Sequence, residues 1–356
     1  MRIGIDAREL CGKPTGVGRH LSGLLAAWSS DAAASRHTFV LYAHDDIDPP
    51  LSNAEIRRLP GSPGTRWEQV ALPKAANEDR LDVFFAPGYT APLLLKTPTV
   101  VLVHDVSFAA HPEWFRWKEG LRRRWLTRWS CEHAKMVLTV SSAARREILL
   151  HFGLPENRVR CIYPGVALLA ADNPALTREP LVLFVGSIFN RRHIPDLIRA
   201  FVPIAKSHPD ARLELVGDNR THPREDPAAI ATAAGIAPRV SIRAYVTDAE
   251  LAALYGRARA FALLSEYEGF GHPPLEALAG GVPPVLLDTE VAREVCGGAA
   301  LYVAKNDIGG TTTAITQLLF DEDCRQRVLR AAPGVLARYS WARAAAETLA
   351  ALESAA

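Results

Sequence analysis

Apolar residues along this chain fall into short, nearly unbroken runs of the kind that strands buried on both faces produce. In the first half they are Arg2 to Asp6, Thr38 to Tyr42, Leu81 to Phe85, Thr99 to Val103, Met136 to Val140 and Arg158 to Tyr163. In the second they are Leu181 to Gly186, Arg212 to Val216, Val240 to Val246, Ala260 to Leu264, Pro284 to Leu287 and Leu301 to Val303. Between the runs the apolar spacing becomes helical. A helix opened by Gly16-Val17-Gly18-Arg19 carries the stripe Leu21, Leu24, Leu25 and Trp28. Ser141 and Ser142 cap a helix through Leu150 that stops near Gly153 and Pro155. Thr247 or Asp248 caps another, with Glu250 in its first turn. Helices over Ile308 to Leu319 and Asp323 to Arg338, and an alanine-rich helix after Trp341, close the chain. Strand alternating with helix predicts parallel α/β sheets. Leu168 to Pro180, rich in Ala, Pro and Asn and without periodicity, reads as a linker between two domains, residues 1–168 and 169–341.

The stretch that organises the rest is Ser265 to Ala279, SEYEGFGHPPLEALA. It joins a buried strand to a short helix, and a second strand follows. Gly269 and Gly271 let backbone approach a ligand closely. Pro273 and Pro274 suit a first helical turn, and the N–H groups there would face an anion such as a phosphate. Glu268 and Glu276 flank the turn. Two carboxylates beside an anion site are poor anion ligands but good acceptors for the hydroxyls of sugars and riboses. Arg191 and Arg192 lie at another strand-to-helix turn, where they can neutralise and grip a diphosphate. His104 and Asp105 stand at a strand's C-terminal end, where open α/β sheets bind ligands. Gly16 and Gly18 raise a dinucleotide-binding fingerprint, but they lie far from the strand end and Leu21 replaces the third glycine.

The spacing Glu268, seven residues, Glu276, inside EGFGHPPLEALA, resembles the signature of GT-B glycosyltransferases of the large retaining family 4. The openings GIDAREL and TGVGRHL, the segment HDVSFAAHPEWF, and TVSSAARREIL followed by NRVRCIYPGV are similar to the same family. The resemblance implies two Rossmann-like domains facing across a cleft, with a terminal helix, residues 342–356, returning to the first. It implies a nucleotide-diphosphate sugar held mainly by the second domain. Glu276 would take the ribose, Phe270 and Gly271 with Arg191 and Arg192 the diphosphate, Glu268 the sugar, and Tyr245 and Val246 the base, with Gly269 also at the donor. Gly16 and Gly18 would face the donor's diphosphate from the first domain. His104 would hold a sugar hydroxyl or share a proton, and Asp105 would accept from an acceptor hydroxyl. No cofactor or metal is expected, since arginines and a helix N-terminus can balance the diphosphate. The implied reaction moves a sugar, with retention, to a saccharide or lipid-linked saccharide. The openings resemble bacterial mannosyltransferases, which favours GDP-mannose. The chain departs from the family at Arg192, where a lysine is usual, at Ala244, where glycine is common, and at Leu264, where proline is common. A sugar-nucleotide epimerase of the same fold, or a nucleotide-sugar binding protein without activity, would share the donor features.

Composition narrows the rest. With 48% hydrophobic and 22% charged residues the chain is ordinary globular protein. A formal net charge of +2 gives no global case for nucleic acid. No apolar run approaches the roughly 20 residues of a membrane span, and Met1 to Asp6 reads as a strand, not a signal peptide. Cys11, Cys131, Cys161, Cys296 and Cys324 are dispersed, which suggests reduced thiols and a cytoplasmic setting. One segment stands apart. Trp114, Trp117, Leu121, Trp125 and Trp129 fall at helical spacing among Arg116, Lys118, Arg122, Arg123, Arg124 and Arg128. Such a helix either docks its aromatic stripe on the sheet and solvates its arginines, or lies peripherally on an anionic membrane.

Overall fold

A computed structural model of the chain describes residues 1–12, 16–51, 54–166 and 178–356. The chain forms two compact units, Met1–Gly165 with Tyr339–Ala356, and Val166–Arg338. The boundary at 168/169 lies outside the described residues, as does the linker Leu168 to Pro180 up to Thr177. Glu179 and Pro180, read as linker, already belong to a strand.

The first unit holds seven parallel strands: β1 (Arg2–Asp6), β2 (Thr38–Ala43), β3 (Glu55–Arg58), β4 (Val83–Ala86), β5 (Thr99–Val103), β6 (Met136–Thr139) and β7 (Val159–Cys161). Their order is β3-β2-β1-β4-β5-β6-β7, so the winding reverses between β1 and β4. Strands such as Val100 to Val103 are buried throughout, which is why they read as apolar runs. β3 escapes that reading because it is a charged edge strand, Glu-Ile-Arg-Arg, with three exposed residues. The terminal helix Trp341–Ala355 packs in this unit against the helix Gly16–Ser29, where Trp28 Nε1 donates to Ala345 O at 3.0 Å. Gly23 and Gly165 leave room for the Trp341 indole: a Cβ on either would come within 2.6 Å of its atoms.

The second unit holds β8 (Glu179–Val185), β9 (Arg212–Val216), β10 (Val240–Arg243), β11 (Ala258–Leu263), β12 (Pro284–Leu287) and β13 (Leu301–Val303). All pairs are parallel, in the order β10-β9-β8-β11-β12-β13, and here the winding reverses between β8 and β11. Each sheet is thus a doubly wound, Rossmann-like sheet. Two expectations need correction in this unit. The strand predicted to Val246 ends at Arg243, because Tyr245 already stands in the loop beyond. The helix predicted over Asp323 to Arg338 is two, Glu322–Arg330 and Ala332–Leu336, since Pro333 brings no N–H to continue the first.

The tryptophan-rich segment is also not the single helix expected. Trp114 ends a short 3-10 turn, Pro112–Trp114, and the helix runs Trp117–His133. Its buried residues are Gly120, Leu126, Thr127, Ser130 and Cys131, so small residues let it lie close to its neighbours. The aromatic stripe points outward instead: Trp117, Leu121 and Trp125 are 72%, 60% and 56% exposed. These three residues are therefore not docked on the sheet, while Trp114 and Trp129 are half-buried.

Candidate functional site

In an open α/β sheet the loops after the two strands at the winding reversal part from each other and leave a crevice for ligands. In the second unit those loops follow β8 and β11. The first begins at Gly186, at φ +134°, and runs through a 3-10 turn, Asn190–Arg192, to His193, which holds a left-handed φ of 46° as N-cap of the helix Ile194–Ser207. The second is the Ser265–Gly271 stretch, which enters the helix His272–Ala279 through Gly271 at φ +98°. Glycine at 271 is required by that conformation. Pro273 and Pro274 occupy the first helical turn and offer it no N–H, so backbone donors to an anion must come from residues upstream of them.

The two loops are fastened together. Glu266 N donates to Arg191 O at 3.0 Å. Glu266 is ion-paired with Lys305, and His193 Nε2 lies 3.5 Å from its other oxygen. The main link is Arg192 with Glu268. Arg192 Nε donates to Glu268 Oε1 at 2.8 Å, Nη2 lies 2.7 Å from the same oxygen, and Nη1 donates to Ser187 O at 2.9 Å. Gly186 makes the space: a Cβ there would stand 2.3 Å from Arg192 Nη1. Arg191 turns its guanidinium over the Phe189 ring, 4.4 Å from the centroid. Phe270 is buried, whereas Glu276 is half-buried and accepts from Tyr255 OH at 3.3 Å. Tyr245 is exposed and Val246 buried, both beyond the end of β10. The structure thus joins Arg192 to Glu268 and sets Gly269, Phe270, Gly271 and Glu276 along one turn and helix, with Tyr245 and Val246 on a different loop.

In the first unit His104 and Asp105 follow β5. His104 Nε2 donates to Pro87 O at 3.0 Å. That bond places the proton on Nε2 and leaves Nδ1 an acceptor. Burial holds the imidazole below its ordinary pKa, against the opposing pull of the Pro87 carbonyl, Asp105 and Glu9, so the ring is neutral at pH 7. The rings of Tyr89 and His20 lie 5.5 and 5.2 Å away. Asp105 Oδ1 accepts from Ser107 N and Oδ2 from Tyr89 OH, both at 2.8 Å, leaving each oxygen one further lone pair. Gly18 is buried in the first turns of its helix; Gly16 is exposed, with nothing among the described residues within 4 Å of where a Cβ would be.

Two features here carry no signature in the sequence. Tyr89 holds a left-handed φ of 71° while its hydroxyl orients Asp105, the kind of backbone strain found at ligand sites. At the end of β1, Arg8 Nη2 lies 3.1 Å from Asp6 Oδ2 and 2.9 Å from Glu68 Oε1, and Thr90 donates to Glu68. Burial pushes the Asp6 carboxyl up to about 6, with Glu68 adding to the rise and Arg8 opposing it. Glu68 comes from a π-helical turn, Trp67–Ala71, some sixty residues away. Only the position of Asp6 at a strand's C-terminal end could have pointed to the cluster.

Comparison with known proteins gives two family models. "Glycosyl transferases group 1" matches residues 169–334, and "Glycosyltransferase Family 4" matches residues 14–168. The O-antigen chain mannosyltransferase B of Escherichia coli is 27% identical over 279 residues, 75% of this chain and 73% of that protein. The O-antigen chain mannosyltransferase RfbU of Salmonella typhimurium is 27% identical over 230 residues, 65% of this chain and 63% of that one. Among solved structures, Anabaena HepE in complex with UDP and glucose superposes with a TM-score of 0.78 at 17% identity, covering 99% of both chains. At that identity the likeness concerns the fold.

Proposed function

The chain belongs to the group 1, family 4 glycosyltransferases, enzymes of GT-B fold, and on that premise we propose that it transfers mannose from GDP-mannose to a saccharide or lipid-linked saccharide, with retention of anomeric configuration. The observation that carries the donor site is the pairing of the arginine turn with the Glu268–Glu276 stretch at the winding reversal of the second sheet. The arginine turn brings positive charge to the diphosphate. Negative charge grows on that group as the sugar leaves, so cations fixed there lower the barrier without reorganising. Glu268 accepts from the sugar hydroxyls and Glu276 from the ribose. Exposed Tyr245 offers a face to the base. On this reading no metal is required. Neutral His104 accepts a hydroxyl through Nδ1, and Asp105, oriented by Tyr89, accepts from the incoming acceptor. Mannosyltransferases among the relatives support the choice of mannose.

The exposed stripe Trp117, Leu121 and Trp125, set among basic residues, favours an acceptor held at a membrane. No helix among the described residues is long and apolar enough to cross one, so contact would be peripheral and with anionic lipid. The reaction is tested by incubating purified protein with GDP- and UDP-sugars, with and without an acceptor extract. Sugar transferred only with extract, and from GDP-mannose above the others, supports the reading. Transfer from a UDP-sugar alone overturns the donor, and epimerised donor without acceptor overturns the reaction.

A further inference from the structure

Resting on the reading that His104 and Asp105 meet the sugar hydroxyls, we propose that Glu68 is a positioning residue for the reaction: it pins the loop after β4, and that loop sets the directions of both side chains. The loop, residues 87–91, touches each of them directly. His104 Nε2 donates to Pro87 O at 3.0 Å, and Tyr89 OH donates to Asp105 Oδ2 at 2.8 Å. Where Pro87 and Tyr89 stand thus decides which ring nitrogen of His104 carries the proton and how the Asp105 carboxylate is turned. The loop does not adopt this shape by its own preference. Tyr89 holds a left-handed φ of 71°, which a large side chain avoids unless its surroundings enforce it.

The enforcement comes from the π-helical turn Trp67–Ala71. Thr90 Oγ1 donates to Glu68 Oε1. The next residue, Gln69, donates through Nε2 to Ala91 O at 3.3 Å and accepts from Leu93 N at 2.8 Å. Neighbouring side chains diverge less around a π turn, with its i→i+5 bonds, than around an α turn, which lets residues 68 and 69 grip the same loop. Ala91 N donates to Ser130 Oγ at 3.0 Å, which ties the loop to the helix Trp117–His133 as well. Tyr89 N donates to Leu102 O of β5 at 3.0 Å. Glu68 is itself held: it is only 4% exposed, and Arg8 Nη2 donates to the same Oε1 at 2.9 Å. Arg8 also lies 3.1 Å from Asp6 Oδ2 at the end of β1. A buried ion pair adds little stability over a well-packed apolar group, so packing alone does not account for it. Here one carboxylate oxygen joins the loops after β1 and β4, the strands between which the winding reverses. That is where an open α/β sheet binds its ligands.

The test cuts the bond from the loop's side. Thr90→Val keeps the shape of the side chain and removes its hydroxyl, Thr90→Ser keeps the hydroxyl, and Glu68→Gln removes the charge. For each, kcat with the sugar donor and acceptor extract is measured beside GDP and UDP affinity by calorimetry. The tautomer of His104 is read from NMR spectra of isotope-labelled histidine, with His104→Gln identifying its signal. Wild type should carry the proton on Nε2. Thr90→Val should lower kcat about tenfold or more, leave nucleotide affinity within about threefold, and give His104 a mixture of tautomers. Thr90→Ser should restore kcat to within about threefold of wild type. Glu68→Gln should follow Thr90→Val, and it carries the test should Thr90→Val not fold. Because part of the effect runs through Tyr89, Thr90→Val should cost less in the Tyr89→Phe background than alone. Native kcat with a native tautomer in Thr90→Val would overturn the proposal. So would a Thr90→Ser variant as impaired as Thr90→Val, or losses that multiply in the double variant. Native kcat in both Asp105→Asn and His104→Gln would remove the reading that this pair meets the sugars, an outcome distinct from the others because it leaves Glu68 and its loop untouched.

Discussion

Glu268 and Glu276 sit eight residues apart yet belong to different chemistry, because one is clamped by Arg192 and the other leans on the Tyr255 hydroxyl. Glu268→Gln should chiefly lower turnover, and Glu276→Ala chiefly weaken nucleotide binding. Loss of a hydrogen bond to a charged group costs about 1.5–3 kcal/mol, roughly tenfold to over a hundredfold. Steady-state kinetics beside nucleotide calorimetry would show whether the effects part this way; the same profile in both variants would contradict it. Two other residues give opposite signs with pH. His104 titrates below its ordinary value of 6.5 in the folded protein, because it is buried. Below about that pH the unfolded chain binds a proton that the folded one refuses, so stability is lost as pH falls. Asp6 titrates near 6 when folded against an ordinary 3.8. The folded state then binds the extra proton, and this group's contribution falls as pH rises from about 4 to about 6. Thermal melts from pH 4 to 7 should show His104→Gln with a smaller acid loss than wild type. Asp6→Asn should show a larger one, since the compensating gain at low pH is gone. Unchanged pH slopes in both variants would mean that neither group titrates abnormally.

At the scale of elements, the sequence is most legible where burial is two-sided. β5 and β12 have the bounds that their apolar runs predict, because a strand covered on both faces has no reason to alternate. The edge strand β3 was hidden by its charges. For the helix Trp117–His133 the sequence leaves both faces open, since an apolar stripe fits docking or outward display equally. Close packing against a sheet favours small residues, and the buried face is Gly120, Thr127, Ser130 and Cys131 with Leu126. For the site, each half of the Arg192–Glu268 pair was legible from its turn, but their contact, 76 residues apart, was not. Nor was the pairing of Glu68 with Arg8, since Glu68 has no signature of its own. The inverted helix makes a firm prediction. Each basic residue near an anionic surface contributes about 1 kcal/mol, and the attraction fades within a Debye length of about 8 Å at physiological salt. Wild type should co-sediment with liposomes containing phosphatidylglycerol, ignore neutral ones, and release as salt rises. Trp117→Ser with Trp125→Ser, or Gln at Arg122, Arg123 and Arg124, should abolish binding without changing nucleotide affinity. Absence of binding at low salt would leave the exposed stripe to some other partner.

Across the whole molecule, the ends of the chain meet in one unit while most of the donor residues belong to the other. Segments near residues 23 and 165 are brought to Trp341, which the sequence places after the entire second sheet. The glycines there are packing devices, since a Cβ on Gly23 would stand 2.6 Å from three atoms of the indole. Gly23→Ala should therefore overpack the junction of the helices Gly16–Ser29 and Trp341–Ala355 and destabilise the first unit by about 1–3 kcal/mol. Because the cost arises from one contact, Trp341→Leu should relieve it, and the double variant should melt above the sum of the two single losses. Every residue assigned to donor binding in the second unit, from Arg191 to Glu276, lies in a core of its own with its own six-stranded sheet. Nucleotide affinity measured well below the melting temperature should therefore be the same in Gly23→Ala and in wild type, even as the melt shifts. A native melt in Gly23→Ala would show that the indole moves aside freely, and strict additivity in the double variant would place the strain elsewhere. Nucleotide binding that weakens together with the first unit would show that the second unit's donor loops depend on the first unit's packing.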